Sequence, residues 1–155
     1  MRKIILNLAI SLDGYISDEK GGFDWIAGQN DHTSDTQNAY DFESFLNNID
    51  IIVMGSKAYE DVVLSNLDTF KDKKILVATS RQLEKRENVT FIHGAITEEI
   101  LILREQVGKN IWLFGGAGLT DPFIREKLID EYIIGIIPTI LGGGRSLFKG
   151  GHPPD

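Results

Sequence analysis

The sequence predicts a single α/β domain with a largely parallel central sheet between helices. Two observations predict it. Short apolar runs, rich in β-branched or aromatic residues and bounded by Gly, Asp, Asn or Lys, recur along the 155 residues, and helix-like stretches separate them. The runs also lack polar alternation, the pattern of strands covered on both faces. A chain of this length forms one domain and buries a core without disulfides or metal.

The strand signals are residues 4–10 (IILNLAI), 51–54 (IIVM), 75–78 (ILVA), 89–92 (VTFI), 111–114 (IWLF) and 132–137 (YIIGII). Met1, Arg2 and Lys3 lead into the first of these, a run too short for a secretory leader and without a cleavage site. Residues 38–48 (NAYDFESFLNN) predict a helix that places Phe42, Phe45, Leu46 and Ile49 on one stripe. Residues 97–107 predict a second helix with Thr97 as N-cap. Residues 121–128 predict a third, with Asp121 as N-cap and Pro122 in the first helical position.

Composition narrows the function. The net charge of −7 argues against nucleic acid or an anionic membrane as partner. There is no cysteine, which excludes disulfides, thiolate zinc sites and thiol catalysis and fits a cytoplasmic protein. His32, His93 and His152 show no metal-ligand spacing.

Three strand ends carry candidate binding chemistry. In IWLFGGAGLTDPFI, Gly115, Gly116 and Gly118 lie between a strand and a helix signal. Such a corner offers unpaired N–H groups and the positive end of a helix dipole to an anion, and the missing Cβ atoms let it approach the backbone. The same glycines serve equally as a tight turn. The stretch lacks the third glycine of a Rossmann fingerprint and the Lys-Ser/Thr of a P-loop. In DIIVMGSKAYE, the apolar run ends at Gly55 and Ser56, Lys57 and Ala58 open a helix. In ILVATSR, two hydroxyls and a guanidinium, Thr79, Ser80 and Arg81, suit a phosphate monoester, or else a cap and a solvated charge. Strand ends that line one crevice are where α/β sheets bind ligands.

These segments resemble the dihydrofolate reductase superfamily. IIVMGSKAYE is similar to its strand-Gly-Arg-Lys/His-Thr-aromatic-Glu segment, and LFGGAGL to its later strand-Gly-Gly-Gly segment. ISLDGYIS resembles the Ser-Leu-Asp-Gly signature of the C-terminal reductase domain of bacterial riboflavin-biosynthesis enzymes. GGFDWI and DEYIIGIIPTILGGGRSLF also resemble small stand-alone members. The ordered set spans nearly the whole chain.

The resemblance implies a dihydrofolate-reductase-like three-layer α/β/α domain over residues 1–155, with a largely parallel mixed sheet, and NADPH as cofactor. Gly55, Ser56, Lys57 and Ala58 would then form one phosphate-side helix start, and Thr79, Ser80 and Arg81 would face the adenosine 2′-phosphate. Gly115, Gly116, Ala117 and Gly118, flanked by Phe114 and Leu119, would lie under the pyrophosphate and nicotinamide. Ser56 stands where relatives carry Arg, and Phe114 where riboflavin reductases commonly carry an acid. On the substrate side, the resemblance points Asp13 at the substrate, places Asp41 near the pterin-gripping carboxylate, and leaves Trp25 as a site wall. The bland readings are an Asp-Gly turn, an exposed helix acid and a core Trp.

The expected activity is NADPH-dependent hydride transfer to a C=N or C=O of a pterin-, pyrimidine- or ribose-like small molecule. A dinucleotide-binding module without turnover and a flavodoxin- or receiver-like regulator are the alternatives. The resemblance implies a C-terminal hairpin, for which no strand signal follows residue 138: either the natural chain continues further or the hairpin is lacking, and a homodimer is expected, burying Ile134, Ile136, Ile140 and Phe148.

Overall fold

The computed structural model describes residues 1–27, 40–63 and 69–151. The part of the first helix signal at residues 38–39, together with His32 and His152, lies outside the described residues. Six strands form the main sheet: β1 (Ile4–Ser11), β3 (Ile49–Gly55), β4 (Lys74–Ala78), β5 (Val89–Ile92), β6 (Asn110–Gly115) and β7 (Glu131–Ile137). Their order is β5-β4-β3-β6-β1-β7, and every described neighbour pair is parallel. Among the described residues, antiparallel pairing is confined to two small strands, β2 (Tyr15–Ser17) and β8 (Arg145–Ser146), which form a separate ribbon.

The continuous apolar runs are explained by period-two alternation between two covered faces. Ile4, Leu6, Ile51, Val53, Leu76, Ile111 and Leu113 face one core with helices α3 (Ile96–Arg104) and α4 (Ala117–Arg125). Ile5, Ile52, Met54, Ile75, Val77 and Trp112 face the other, with Phe45 of helix α1 (Phe42–Asn47) and Phe70, and a short helix α2 (Ser56–Ala58) follows β3 directly. The three layers are those expected.

The helix boundaries differ from expectation, and packing explains each difference. Asp41 is the N-cap of α1, accepting from the Ser44 N–H at 3.0 Å. Ile49 belongs to β3 and not to the helix stripe. In α3 the N-cap is Ala95, without a side-chain cap; Thr97 is buried in the first turn. Ile96 and Ile100, one turn apart, anchor that helix to the core and set its start earlier. In α4 the N-cap is Gly116, so Pro122 lies inside the helix and Asp121 is not its cap. Leu119, Thr120, Phe123 and Ile124 form the buried stripe that fixes this phase. The Thr120 N–H and hydroxyl both bond the Gly116 carbonyl, each at 2.9 Å.

Candidate functional site

The neighbouring strands β3 and β6 continue to opposite sides of the sheet, β3 to β4 and β6 past β1 to β7. A crevice opens at this switch point. It contains two cavities that share Ile16, Lys57, Ala58, Gly116 and Arg145.

The first cavity, about 710 Å³, lies over Asn7, Leu8 and Ala9 of β1 and is largely apolar and aromatic. Phe23, Ile26, Tyr40, Phe42, Trp112 and Phe114 line it. Phe42 meets Trp112 edge-on at 5.6 Å between centroids, and Trp112 meets Phe114 at 5.0 Å. The Trp112 indole N–H donates to the Asn7 carbonyl at 2.9 Å and fixes the ring. Phe23, Ile26, Tyr40 and Phe42 are all large exposed residues, gathered around this one mouth. Exposed apolar groups concentrated in a concavity mark a ligand site.

The second cavity, about 740 Å³, runs past the C-terminal ends of β3, β4 and β6. Gly55, Ser56, Lys57, Ala58, Ala78, Gly116, Ala117, Gly118 and Leu119 line it, with Lys149 from the C-terminal segment. The α4 N-terminus opens here without a side-chain cap. Gly115 has φ +114°, a conformation L side chains rarely adopt, and the Gly115–Gly116 peptide is cis. A Cβ on Gly116 would stand 3.5 Å from Ile16 Cδ1, narrowing the passage between the cavities. One on Gly118 would stand 3.8 Å from Lys149 Nζ.

Electrostatics set this crevice apart in an acidic chain. Among the described residues, Lys57, Arg145 and Lys149 form no ion pair. Among the described residues Asp61 is the one acid lining either cavity, and it is exposed. Cations held together without carboxylate partners suit an anionic ligand.

The expected site residues divide accordingly. Gly55, Ser56, Lys57, Ala58, Phe114, Gly115, Gly116, Ala117, Gly118 and Leu119 line the crevice. Thr79, Ser80 and Arg81 do not: Ala78 is the last lining residue of β4, and the Arg81 guanidinium pairs with Glu60. Trp25 donates to the Gly22 carbonyl at 3.3 Å, and its neighbours Phe23 and Ile26 supply the wall instead. Asp41 caps α1 and lies outside both linings.

Asp13 also lies outside both linings. Its carboxylate accepts from the Ser11 hydroxyl at 2.6 Å and from the Leu141 and Gly142 N–H groups at 3.2 and 2.9 Å. The Ser11 bond, joined by the two backbone donors, holds its pKa below the usual carboxylate range. The geometry is that of a clamp between the β1–β2 turn and the segment after β7.

Sequence reasoning missed Asn7, Tyr40, Arg145 and Lys149. A lone Asn inside IILNLAI, and two cations close behind Gly142–Gly144, were the available signals.

Known proteins share this architecture. The chain is 38 % identical over 149 residues to YwjB, an uncharacterized protein of Bacillus subtilis (strain 168), covering 95 % of this chain and 83 % of YwjB. A candidate riboflavin biosynthesis protein from Shewanella sp. PV-4 superposes with a TM-score of 0.76 at 30 % identity, covering 100 % of this chain and 86 % of that one. Dihydrofolate reductase from Enterococcus faecalis, complexed with NADP(H), shares the fold at 18 % identity and a TM-score of 0.66, covering 94 % of this chain and 76 % of the enzyme. Residues 52–155 match the RibD C-terminal domain, and the chain belongs to that family.

Proposed function

We propose that the protein is an NADPH-dependent reductase acting on a C=N or C=O of a planar pterin- or pyrimidine-like, or a ribose-like, small molecule. The observation that carries this reading is the pair of cavities meeting at Gly116. One is cationic and opens onto a helix N-terminus; the other is walled by aromatic rings. A dinucleotide and a planar substrate need this division.

The residues present fit the cofactor. Lys57, Arg145 and Lys149 would hold its phosphates, and Gly116 and Gly118 remove the side chains that would block close approach. When bound, the nicotinamide supplies a hydride. The chain's own work is positional: Phe42, Trp112 and Phe114 hold the acceptor ring and displace water, and Gly116 and Ile16 set the narrow passage between the two ligands.

Titration with NADPH, read by nicotinamide fluorescence, tests the first half; oxidation of NADPH with a panel of pterins, aminopyrimidines and sugar phosphates tests the second. Micromolar binding with turnover is expected. Binding without turnover on any panel member would assign the chain to the binding-module class, and no binding would overturn the reading.

A further inference from the structure

Asn7 is the one polar side chain that β1 directs at the aromatic cavity, and it is nearly buried, with 9 % of its surface exposed. Its backbone carbonyl is held by the Trp112 indole. Its Nδ2 donates to the Tyr40 hydroxyl oxygen at 2.9 Å. A buried carboxamide on a strand facing an apolar cavity costs stability unless its polar atoms are used.

That bond orients both groups. With its oxygen accepting from Asn7, the Tyr40 hydroxyl keeps its proton for another acceptor. With Nδ2 engaged, Asn7 Oδ1 keeps its lone pairs for another donor. Among the described residues neither has a second side-chain partner. One donor and one acceptor thus stand side by side at the edge of an aromatic wall. The matching ligand edge is a carbonyl beside an N–H, as in a cyclic amide.

We propose that Asn7 and Tyr40 are the specificity-determining pair of the aromatic cavity and hold the amide edge of a neutral planar lactam against Phe42, Trp112 and Phe114. The proposal deepens the reductase reading and rests on it for the role of the bound ring. One further observation agrees. Desolvation, with the Glu131 and Asp41 carboxylates adding to it, raises the Tyr40 pKa above the usual phenol range, so the hydroxyl stays a donor.

The probes are lumazine (pteridine-2,4-dione), which carries the amide edges, and 1,3-dimethyllumazine, which lacks both amide N–H groups. Their fluorescence is titrated with wild type, Tyr40→Phe and Asn7→Leu, each with and without NADPH. Lumazine should bind wild type about tenfold more tightly than either variant, the loss expected for an unpaired polar group at a buried edge. Dimethyllumazine should bind all three alike. NADPH affinity should be unchanged in Tyr40→Phe. Equal binding of lumazine and its dimethyl derivative to wild type would overturn the proposal. So would undiminished lumazine binding by Tyr40→Phe, or no lumazine binding at all. Tyr40 is half exposed, so that variant keeps the test open if Asn7→Leu fails to fold. Absence of NADPH binding would overturn the reductase reading alone, because the lumazine comparison is also made without cofactor.

Discussion

Lys57 and Arg145, 88 positions apart in sequence, converge on Gly21. The point a Gly21 Cβ would occupy lies 3.5 Å from Lys57 Nζ and 3.4 Å from Arg145 Nη2. Gly21 has φ +83°, so a side chain there is strained as well as crowded. Two cations without a carboxylate partner repel each other until an anion enters, and the bare glycine leaves room for one.

Lys57→Ala and Arg145→Ala are each expected to weaken NADPH binding by about 1.5–3 kcal/mol, the range for hydrogen bonds to charged groups. The loss should shrink at high salt. Arg81→Ala is the contrast. Arg81 sits in an exposed pair with Glu60, and its removal should cost about 0–1 kcal/mol. Dissociation constants at two salt concentrations check this; an Arg81 effect as large as that of Lys57 would return the 2′-phosphate to the β4 end.

Glycine substitutions should separate structure from binding. Gly144 has φ +143°, and a Cβ there would lie 2.0 Å from the Ser17 carbonyl oxygen. Gly144→Ala should therefore destabilise the fold by at least about 3 kcal/mol, measured by urea unfolding. Gly118 lies in the first turn of α4, where an added Cβ would meet Lys149 Nζ at 3.8 Å in ordinary van der Waals contact, so Gly118→Ala should stay within about 1 kcal/mol of wild type. Its dinucleotide affinity should nevertheless fall, because the methyl group occupies the approach to the helix N-terminus.

The Asp13 clamp predicts a pH dependence. Its carboxyl is lowered chiefly by the Ser11 hydroxyl, desolvation opposes this next, and the Gly142 and Leu141 amides lower it further, so the net direction is down. A depressed native pKa contributes stability that is present above the ordinary aspartate pKa and is lost as pH falls through the native value. Asp13→Ala should thus lower the urea midpoint at neutral pH, with the gap to wild type closing in acid. Activity per folded molecule should hold if Asp13 is only a clamp. A large loss of turnover at unchanged stability would restore the substrate-facing role.

We propose that two copies pair along β7. Among the described residues β7 is the last strand on its side of the sheet, and Ile136, Ile140 and Phe148 are 61 %, 71 % and 43 % exposed. An apolar parallel edge left open is an aggregation hazard. Ile134, by contrast, lines the aromatic cavity and is expected to contribute little. Sedimentation should give a dimer at micromolar concentration, and Ile136→Lys should give a monomer. A soluble wild-type monomer would overturn the pairing.

The six apolar runs by themselves determined the six strands of the main sheet, because a strand covered on both faces is apolar along most of its length wherever it falls in the sheet. The Gly115–Gly118 corner was legible for a local reason: a strand, missing Cβ atoms and a helix start are all written within a few residues. The tertiary structure decided the rest. Thr97 and the Asp121-Pro122 pair carry strong capping propensity, yet the apolar stripes Ile96–Ile100 and Leu119–Phe123 set where α3 and α4 begin, since burial outweighs a single cap bond. Asp13 has the chemistry of a substrate-facing acid, but the segment after β7 presents two amide donors to it from 128 and 129 residues away. Arg145 and Lys149 reach the crevice only because that same segment folds back over it, and Asn7 meets Tyr40 only because the residues leading into α1 come within hydrogen-bond reach of β1. No local pattern encodes such meetings, because each depends on which distant backbone the fold brings within hydrogen-bond reach.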